Sequence, residues 1–167
     1  LDQQVAKGNM NTRDMWNKSW DVNVTGTYIV TETFVPLLLK SSQPRILFIT
    51  SGTSTLTEHD NLVMPVNRAP PKGWPKQTFR IAAYRATKTG MNMMVLEWDR
   101  ILKEDGVKVF AISPGHLATG LGGDAEAMKK MGGIDPNIGA ELVRDVVEGR
   151  RDEDVGKVVR KNNVQPW

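Results

Sequence analysis

AAYRATKTGMNMMVLEWDRILKEDGVKVFAISPG, residues 82–115, is the stretch that decides the fold. Ala82 to about Glu104 reads as a strong helix. Tyr84, Lys88, Met91, Val95 and Trp98 recur at alternating four- and three-residue intervals, and Asp105-Gly106 supplies a stop signal. Val107 to Ile112 (V-K-V-F-A-I) then reads as a strand, closed by Ser113-Pro114-Gly115. Within the helix, Tyr84 and Lys88 stand four residues apart, so they share one face. A free tyrosine titrates near ~10 and exchanges protons poorly at neutral pH. An ammonium beside it favours the phenolate and makes a usable general acid/base. Many helices carry such a pair by chance, so the surroundings decide what it means.

Working outward, Arg45 to Thr50 (R-I-L-F-I-T) is a short apolar run between turn signals, and reads as a strand buried on both faces. Residues 1–11 read as loop. Thr12 is the expected N-cap of a helix running to about Leu39, with Asp14 in its first turn. Gly26 and Pro36 interrupt that helix and predict a kink or a weak last turn. Residues 51–80 hold Pro65, Pro70, Pro71, Gly73 and Pro75 without periodicity, and read as one long loop. Beyond Gly115, Gly- and Met-rich sequence runs to about Gly133. Asp135-Pro136 opens a helix to about Glu148. Val155–Val159 is a third strand candidate, and Asn162–Trp167 is a polar tail. Helix–strand alternation of this kind predicts a parallel α/β sheet.

Composition narrows the function. The 167 residues are 40% apolar and 25% charged, as in an ordinary globular domain. The net charge is only +3, and the basic residues are interrupted by acidic ones, as in Arg150-Arg151-Asp152-Glu153-Asp154. No basic stripe with interleaved aromatics marks a nucleic-acid surface. The chain has no cysteine, which removes disulfides, thiol nucleophiles and Cys-based zinc sites and fits a cytoplasmic protein. The longest apolar run, Phe34–Leu39, is far short of the roughly 20 residues that span a bilayer. His59 and His116 have no metal-ligand spacing, so no metal site is expected.

Three motifs stand in register around the Tyr84–Lys88 pair. Asn23-Val24-Thr25-Gly26 lies mid-helix. Ile49-Thr50-Ser51-Gly52 ends the first strand. Ser113-Pro114-Gly115-His116-Leu117-Ala118-Thr119 follows the second. With Tyr84–Lys88 as Y-x-x-x-K, the chain resembles the short-chain dehydrogenase/reductase family over most of its length. The resemblance implies a Rossmann-like doubly wound parallel sheet, with a single partial NAD(P)-binding domain over 1–167. It implies an NAD- or NADP-dependent oxidoreductase that interconverts an alcohol and a ketone or aldehyde.

On that resemblance Asn23, Ser51, Tyr84 and Lys88 are catalytic. Tyr84 passes the proton, Lys88 supports it and holds the nicotinamide ribose, Ser51 positions the carbonyl, and Asn23 breaks the helix ladder and anchors a relay water. Asn23, Tyr84, Lys88, Pro114, Gly115 and Thr119 contact the cofactor. Each has a plainer alternative. Thr50, Thr53 and Ser54 compete with Ser51 for the serine role, and Thr119 could be an N-cap.

Two departures from the family pattern stand out. Ser51 and Tyr84 are 33 residues apart, which reads as a Pro-rich insertion, residues 52–81, near the active-site mouth. No strand–glycine turn–helix precedes Thr12, and Gly120-Leu121-Gly122-Gly123 does not replace it; it reads as a mobile substrate-side loop. A start at Leu1 without a signal segment adds to this. The chain therefore reads as the C-terminal half of such an enzyme, with its natural C-terminus, about three parallel strands and flanking helices. As an isolated fragment it is expected to bind cofactor weakly, to be inactive, and to expose the edge of the 45–50 strand. The alternative is a non-catalytic binding or regulatory module on the same fold. The resemblance also implies a homo-oligomer, with Trp16, Trp20, Met91, Met94 and Trp98 offering apolar surface.

Overall fold

The computed structural model describes residues 1–76, 81–121 and 124–167. Four residues of the expected 51–80 loop, and Gly122 and Gly123 of the glycine-rich loop, lie outside the described residues.

Arg45–Ile49 forms β1 and Lys108–Ile112 forms β2, paired in parallel register from Arg45 opposite Lys108 to Ile49 opposite Ile112. Helix Ala82–Leu102 makes the crossover between them. It is the fourth α-helix in chain order, after α1 (Asp2–Ala6), α2 (Thr12–Trp20) and α3 (Thr27–Leu38), and is α4. A short helix α5 (Ala125–Lys130) and then α6 (Pro136–Val147) follow β2. β3 (Val158–Val159) pairs parallel to β2, and β4 (Val164–Gln165) closes the sheet antiparallel to β3. The order is β1-β2-β3-β4.

The alternation along β2 builds a core on each face of the sheet. Val109 and Ala111 pack under α4 with Phe48, Met91, Met94, Val95 and Trp98. Phe110 and Ile112 face the other way, against Leu142 and Val146 of α6 and Val159. Period-two side chains on a strand covered on both sides explain why V-K-V-F-A-I is nearly continuous in apolar residues.

Several expectations change. Met91, Met94 and Trp98 are core residues, 4%, 8% and 5% exposed, so they offer no outer surface; Trp16 and Trp20 remain partly exposed. β1 is an edge strand among the described residues, with only Phe48 fully buried and Ile49 exposed. Burial on both faces fails: among the described residues no strand flanks β1 on its far side, and Arg45, Ile46 and Leu47 are only half-buried. The expected open edge is present for the same reason.

The helix of residues 12–39 is capped by Asn11, whose side chain accepts from the Asp14 N–H, rather than by Thr12. Its interruption is a π-helical turn, Asp21–Gly26. A Cβ on Gly26 would lie 3.1 Å from the Asp21 carbonyl oxygen, so the turn is built around the glycine. Pro36 sits in the last turn before the helix ends at Leu38. Residues 1–11, read as loop, contain α1, and α5 lies in the Gly- and Met-rich stretch where no element is expected. α5 is short and capped by the Asp124 side chain rather than marked by periodicity. The tail forms β4 because β3 offers it a free edge.

At the opposite end of the sheet from the strand C-termini, Asp152 takes hydrogen bonds from Arg45 of β1 and Lys108 of β2. These bonds, Arg45's first, hold its carboxyl down at about 2. Because the folded value lies below the ordinary one, the stabilisation is present above about 3.8 and is lost as pH falls through about 2. With a third of the Asp152 side chain exposed, solvent screens part of it. Thermal melts of Asp152→Asn should lie below wild type at neutral pH. The gap between the two curves should narrow as pH drops from 4 towards 2, and a gap independent of pH would refute the linkage.

Candidate active site

Strands paired in parallel end at one edge of the sheet, and open α/β sheets bind ligands there. Ser51 follows β1 at this edge and Ser113-Pro114-Gly115 follows β2. A Cβ on Gly52 would lie 3.6 Å from Ser113 Oγ, so the two strand-end loops are neighbours. The first two turns of α4 bring Tyr84 and Lys88 to the same edge, because the crossover helix runs back against the strands.

Lys88 Nζ donates to the carbonyl oxygen of Ile49, the last residue of β1, at 2.7 Å. It also lies 5.9 Å from the centroid of the Tyr84 ring. Burial pushes the Lys88 pKa down. Among the described residues the Tyr84 hydroxyl makes no internal hydrogen bond, and the ring is half-buried. The ammonium also points a donor at Met91 Sδ, 3.9 Å away. The arrangement gives a phenol beside a partly desolvated ammonium that keeps one of its three N–H donors for a further partner.

Asn23 lies in the π-helical turn, and its Nδ2 donates to Thr87 Oγ1 at 3.0 Å. Thr87 is fully buried and donates its own proton to the Tyr84 carbonyl, 2.8 Å away. The Asn23 side chain therefore ties the irregular turn to α4 between Tyr84 and Lys88. π-turns recur at functional sites, and this one carries the motif asparagine.

Among the hydroxyls after β1, Thr50 and Ser54 are 3% and 1% exposed and are committed to internal hydrogen bonds. Ser51 is half-buried. Its Oγ accepts from the Thr53 N–H at 3.2 Å and lies 3.0 Å from Thr53 Oγ1. Arg85, next to Tyr84, donates to Thr53 O, Val66 O and Asn67 Oδ1, which fastens the long loop to the start of α4.

After β2, Gly115 has φ +98°, a conformation that side chains rarely adopt, and its backbone is exposed. The segment is held from below by α6: a Cβ on Gly139 would fall 3.2 Å from Pro114 Cβ. The Thr119 hydroxyl accepts from the Leu121 N–H at 3.2 Å. Asp124, not Thr119, caps α5. Asn23 is thus linked to Tyr84 through Thr87, Lys88 lies beside the Tyr84 ring, Ser51 adjoins them through the end of β1, and Thr119 is bonded within its own loop. Residue-pattern reasoning missed Thr87, Asn92 and Gln165, and named Ser54 only as a competitor of Ser51. A polar Asn92 amid Met91, Met93 and Met94 was a readable signal; Gln165 in the tail had none.

Among the described residues no group of three or more His, Asp or Glu side chains is placed to hold a metal, and no helix is long and apolar enough to cross a membrane.

A parallel sheet with α4 on one face and α6 on the other, and polar side chains gathered at the strand C-termini, defines a Rossmann-like α/β fold. The chain belongs to the short-chain dehydrogenase/reductase family. It is 52% identical, over its whole length, to the short-chain dehydrogenase/reductase eupG of Phoma sp, covering 63% of that protein. It is also 52% identical to tropE of Talaromyces stipitatus over 93% of this chain and 59% of that one. The chain thus spans about 60% of the length of these curated relatives. No family model matches it. The NADPH-bound carbonyl reductase from chicken fatty liver superposes with a TM-score of 0.71 at 18% identity, over 96% of this chain and 60% of that one. A short chain dehydrogenase from Salmonella enterica gives 0.60 at 20% identity, over 90% and 54%. These two likenesses establish the fold.

Thr87→Val keeps the shape but removes the acceptor for Asn23 and the donor to Tyr84 O. Chemical unfolding should show a loss of about 1–3 kcal/mol, the usual cost of an unsatisfied buried polar group. A change below a few tenths would mean that the bond from Asn23 holds nothing.

Proposed function

We propose that the protein is an NAD(P)-dependent oxidoreductase that interconverts an alcohol and a ketone or aldehyde. The observation that carries this reading is the single face of α4 that presents Tyr84 and Lys88 at the C-terminal ends of β1 and β2. Tyr84 passes a proton to the substrate oxygen in reduction and takes it back in oxidation. The Lys88 ammonium stabilises the negative charge that this leaves on the tyrosine oxygen. The Ser51 hydroxyl, at the same edge, hydrogen-bonds and orients the carbonyl. Asn23 keeps the π-turn fixed against α4 and anchors the water that resupplies the proton through Lys88.

The residues fit the nicotinamide-ribose half of a dinucleotide. With donors directed at Ile49 O and Met91 Sδ, Lys88 keeps a third N–H for a ribose hydroxyl beside Tyr84 and the Asn23 turn. Pro114, the exposed backbone of Gly115, and Thr119 form the nicotinamide side. When bound, the nicotinamide supplies or accepts the hydride. These residues do not include a glycine-rich turn for the pyrophosphate, so the 167 residues alone should bind the dinucleotide weakly and turn over poorly. The NADPH held by the chicken carbonyl reductase supports a nicotinamide cofactor without choosing between NAD and NADP. The loop of residues 52–81, fastened by Arg85 next to Tyr84, is an insertion at the mouth of the site. Exposed Trp16, Trp20, Tyr28, Phe34 and Leu37 support homo-oligomerisation of the complete protein.

The test is NADH- or NADPH-dependent reduction of a panel of aliphatic and aromatic aldehydes and ketones by the full-length protein. Tyr84→Phe should lower kcat by a hundredfold or more, in line with the 10²–10⁴-fold contribution of a positioned acid/base, with the fold intact by circular dichroism. Full activity of Tyr84→Phe would remove the catalytic reading. Dinucleotide binding without turnover of any carbonyl would favour a binding or regulatory module.

A further inference from the structure

Tyr84 and Lys88 stand on a helix, whereas Ser51 stands on a loop. A serine that orients a carbonyl for the tyrosine must be held in register with it, since misplacement by about 1 Å can cost a hundredfold in rate. The hydrogen bonds around Ser51 show where that register comes from. The Ser51 carbonyl accepts from Ser54 Oγ at 2.7 Å and from the Ser54 N–H at 3.1 Å. On the far side it also accepts from Gln165 Nε2 of β4 at 3.2 Å.

Proton counting fixes the rest. A carbonyl only accepts, so the single hydroxyl proton of Ser54 points at Ser51 O. Ser54 Oγ must therefore be the acceptor towards Asn92, whose Nδ2 lies 3.0 Å away. That leaves Asn92 Oδ1 to accept the Thr50 hydroxyl proton, at 2.5 Å. Asn92 thus grips both residues that bracket the Ser51 turn, Thr50 before it and Ser54 after it. One turn earlier on α4, Thr89 Oγ1 donates to Ser54 O at 2.8 Å. Asn92 is 4% exposed, and Thr50 and Ser54 are more deeply buried still, so no water competes for these bonds. A buried amide in an otherwise apolar stretch of helix is costly unless every polar group is satisfied, and here the side chain is used at both ends.

We propose that Asn92 is a positioning residue: it locks the Ser51 turn to the helix that carries Tyr84 and Lys88, and so sets the serine hydroxyl against the tyrosine. The inference rests on the oxidoreductase reading above. Asn92 acts through Ser54 and touches no reactant. Its spacing is chosen by geometry, for it lies two turns along α4 from Tyr84, where the helix passes beneath the end of β1.

The decisive variant is Asn92→Asp, which has the same size and keeps the acceptor for Thr50. Its second oxygen replaces the N–H donor, so it competes with Ser51 O for the one Ser54 proton. Ser54→Ala breaks the same link from the loop side. In the full-length protein, each variant should lower kcat about tenfold or more while the KM for the nicotinamide cofactor stays within about twofold, because Lys88 and Asn23 are untouched. The double variant should be no worse than the more damaged single one. Hydrogen exchange of the segment 50–55 should quicken about tenfold in both, with β2 unchanged. An unaltered kcat, a loss shared equally by cofactor KM, or losses that multiply in the double variant would overturn the proposal. If wild type reduces no carbonyl, the oxidoreductase reading fails by itself. Exchange then still decides whether Asn92 holds the turn: unchanged protection in Asn92→Asp would overturn that part.

Discussion

The parallel pairing of β1 with β2 governs the rest of the molecule. Parallel neighbours cannot be joined by a tight hairpin, so the chain must return across the sheet through a crossover, here α4. The return direction places the first turns of α4 at the edge where both strands end. Ser51, Tyr84, Lys88 and Pro114-Gly115, which lie up to 64 residues apart in sequence, therefore gather at one edge. The same pairing brings Arg45 and Lys108 together at the opposite edge, where Asp152 bridges them. One end of the sheet is thus fastened by charge, and the other is free for chemistry.

At that free end, polar groups are divided by burial. Thr50, Ser54, Thr87 and Asn92 are sealed in and paired with one another or with the backbone. Ser51, Tyr84 and Lys88 are only partly covered. The sealed residues hold backbone and helix in place, and the half-covered ones keep groups for a ligand. Lys88 belongs to both sets: one N–H anchors it to the end of β1, while burial lowers its pKa. The Asn23 bond to Thr87 extends the arrangement to a third element, the π-turn.

The edge position of β1 sets a further constraint. A strand with unpaired backbone groups along one side is a template for pairing with another strand. The chain covers 59–63% of the length of its 52%-identical relatives. Among the described residues, the apolar side chains Ile29, Val30, Phe34 and Leu37 of α3 stay exposed, and β1 is only half-covered.

The helix periods of 82–104 and 136–147, the apolar runs at 45–50 and 107–112, and the spacing of Asn23, Ser51, Tyr84, Lys88 and Pro114-Gly115 were all legible in the sequence. They are local patterns, set by the 3.6- and 2-residue repeats and by short turn chemistry. Thr119 was legible as a motif position only, and the short α1, α5 and β4 carried too few residues for a pattern. The sequence by itself thus determined the fold class and the chemical types at the site. Only the tertiary structure decided that Thr50 and Ser54 are spent on internal bonds, that Asn23 reaches Thr87, that Met91 and Trp98 are core, and that Asn92 and Gln165 converge on the Ser51 turn. The reason is physical: which of several neighbouring hydroxyls or amides is free depends on hydrogen-bond partners that can be distant in sequence, as for Thr50 and Asn92 across 42 residues, Asn92 and Ser54 across 38, Asn23 and Thr87 across 64, and Gln165 and Ser51 across 114.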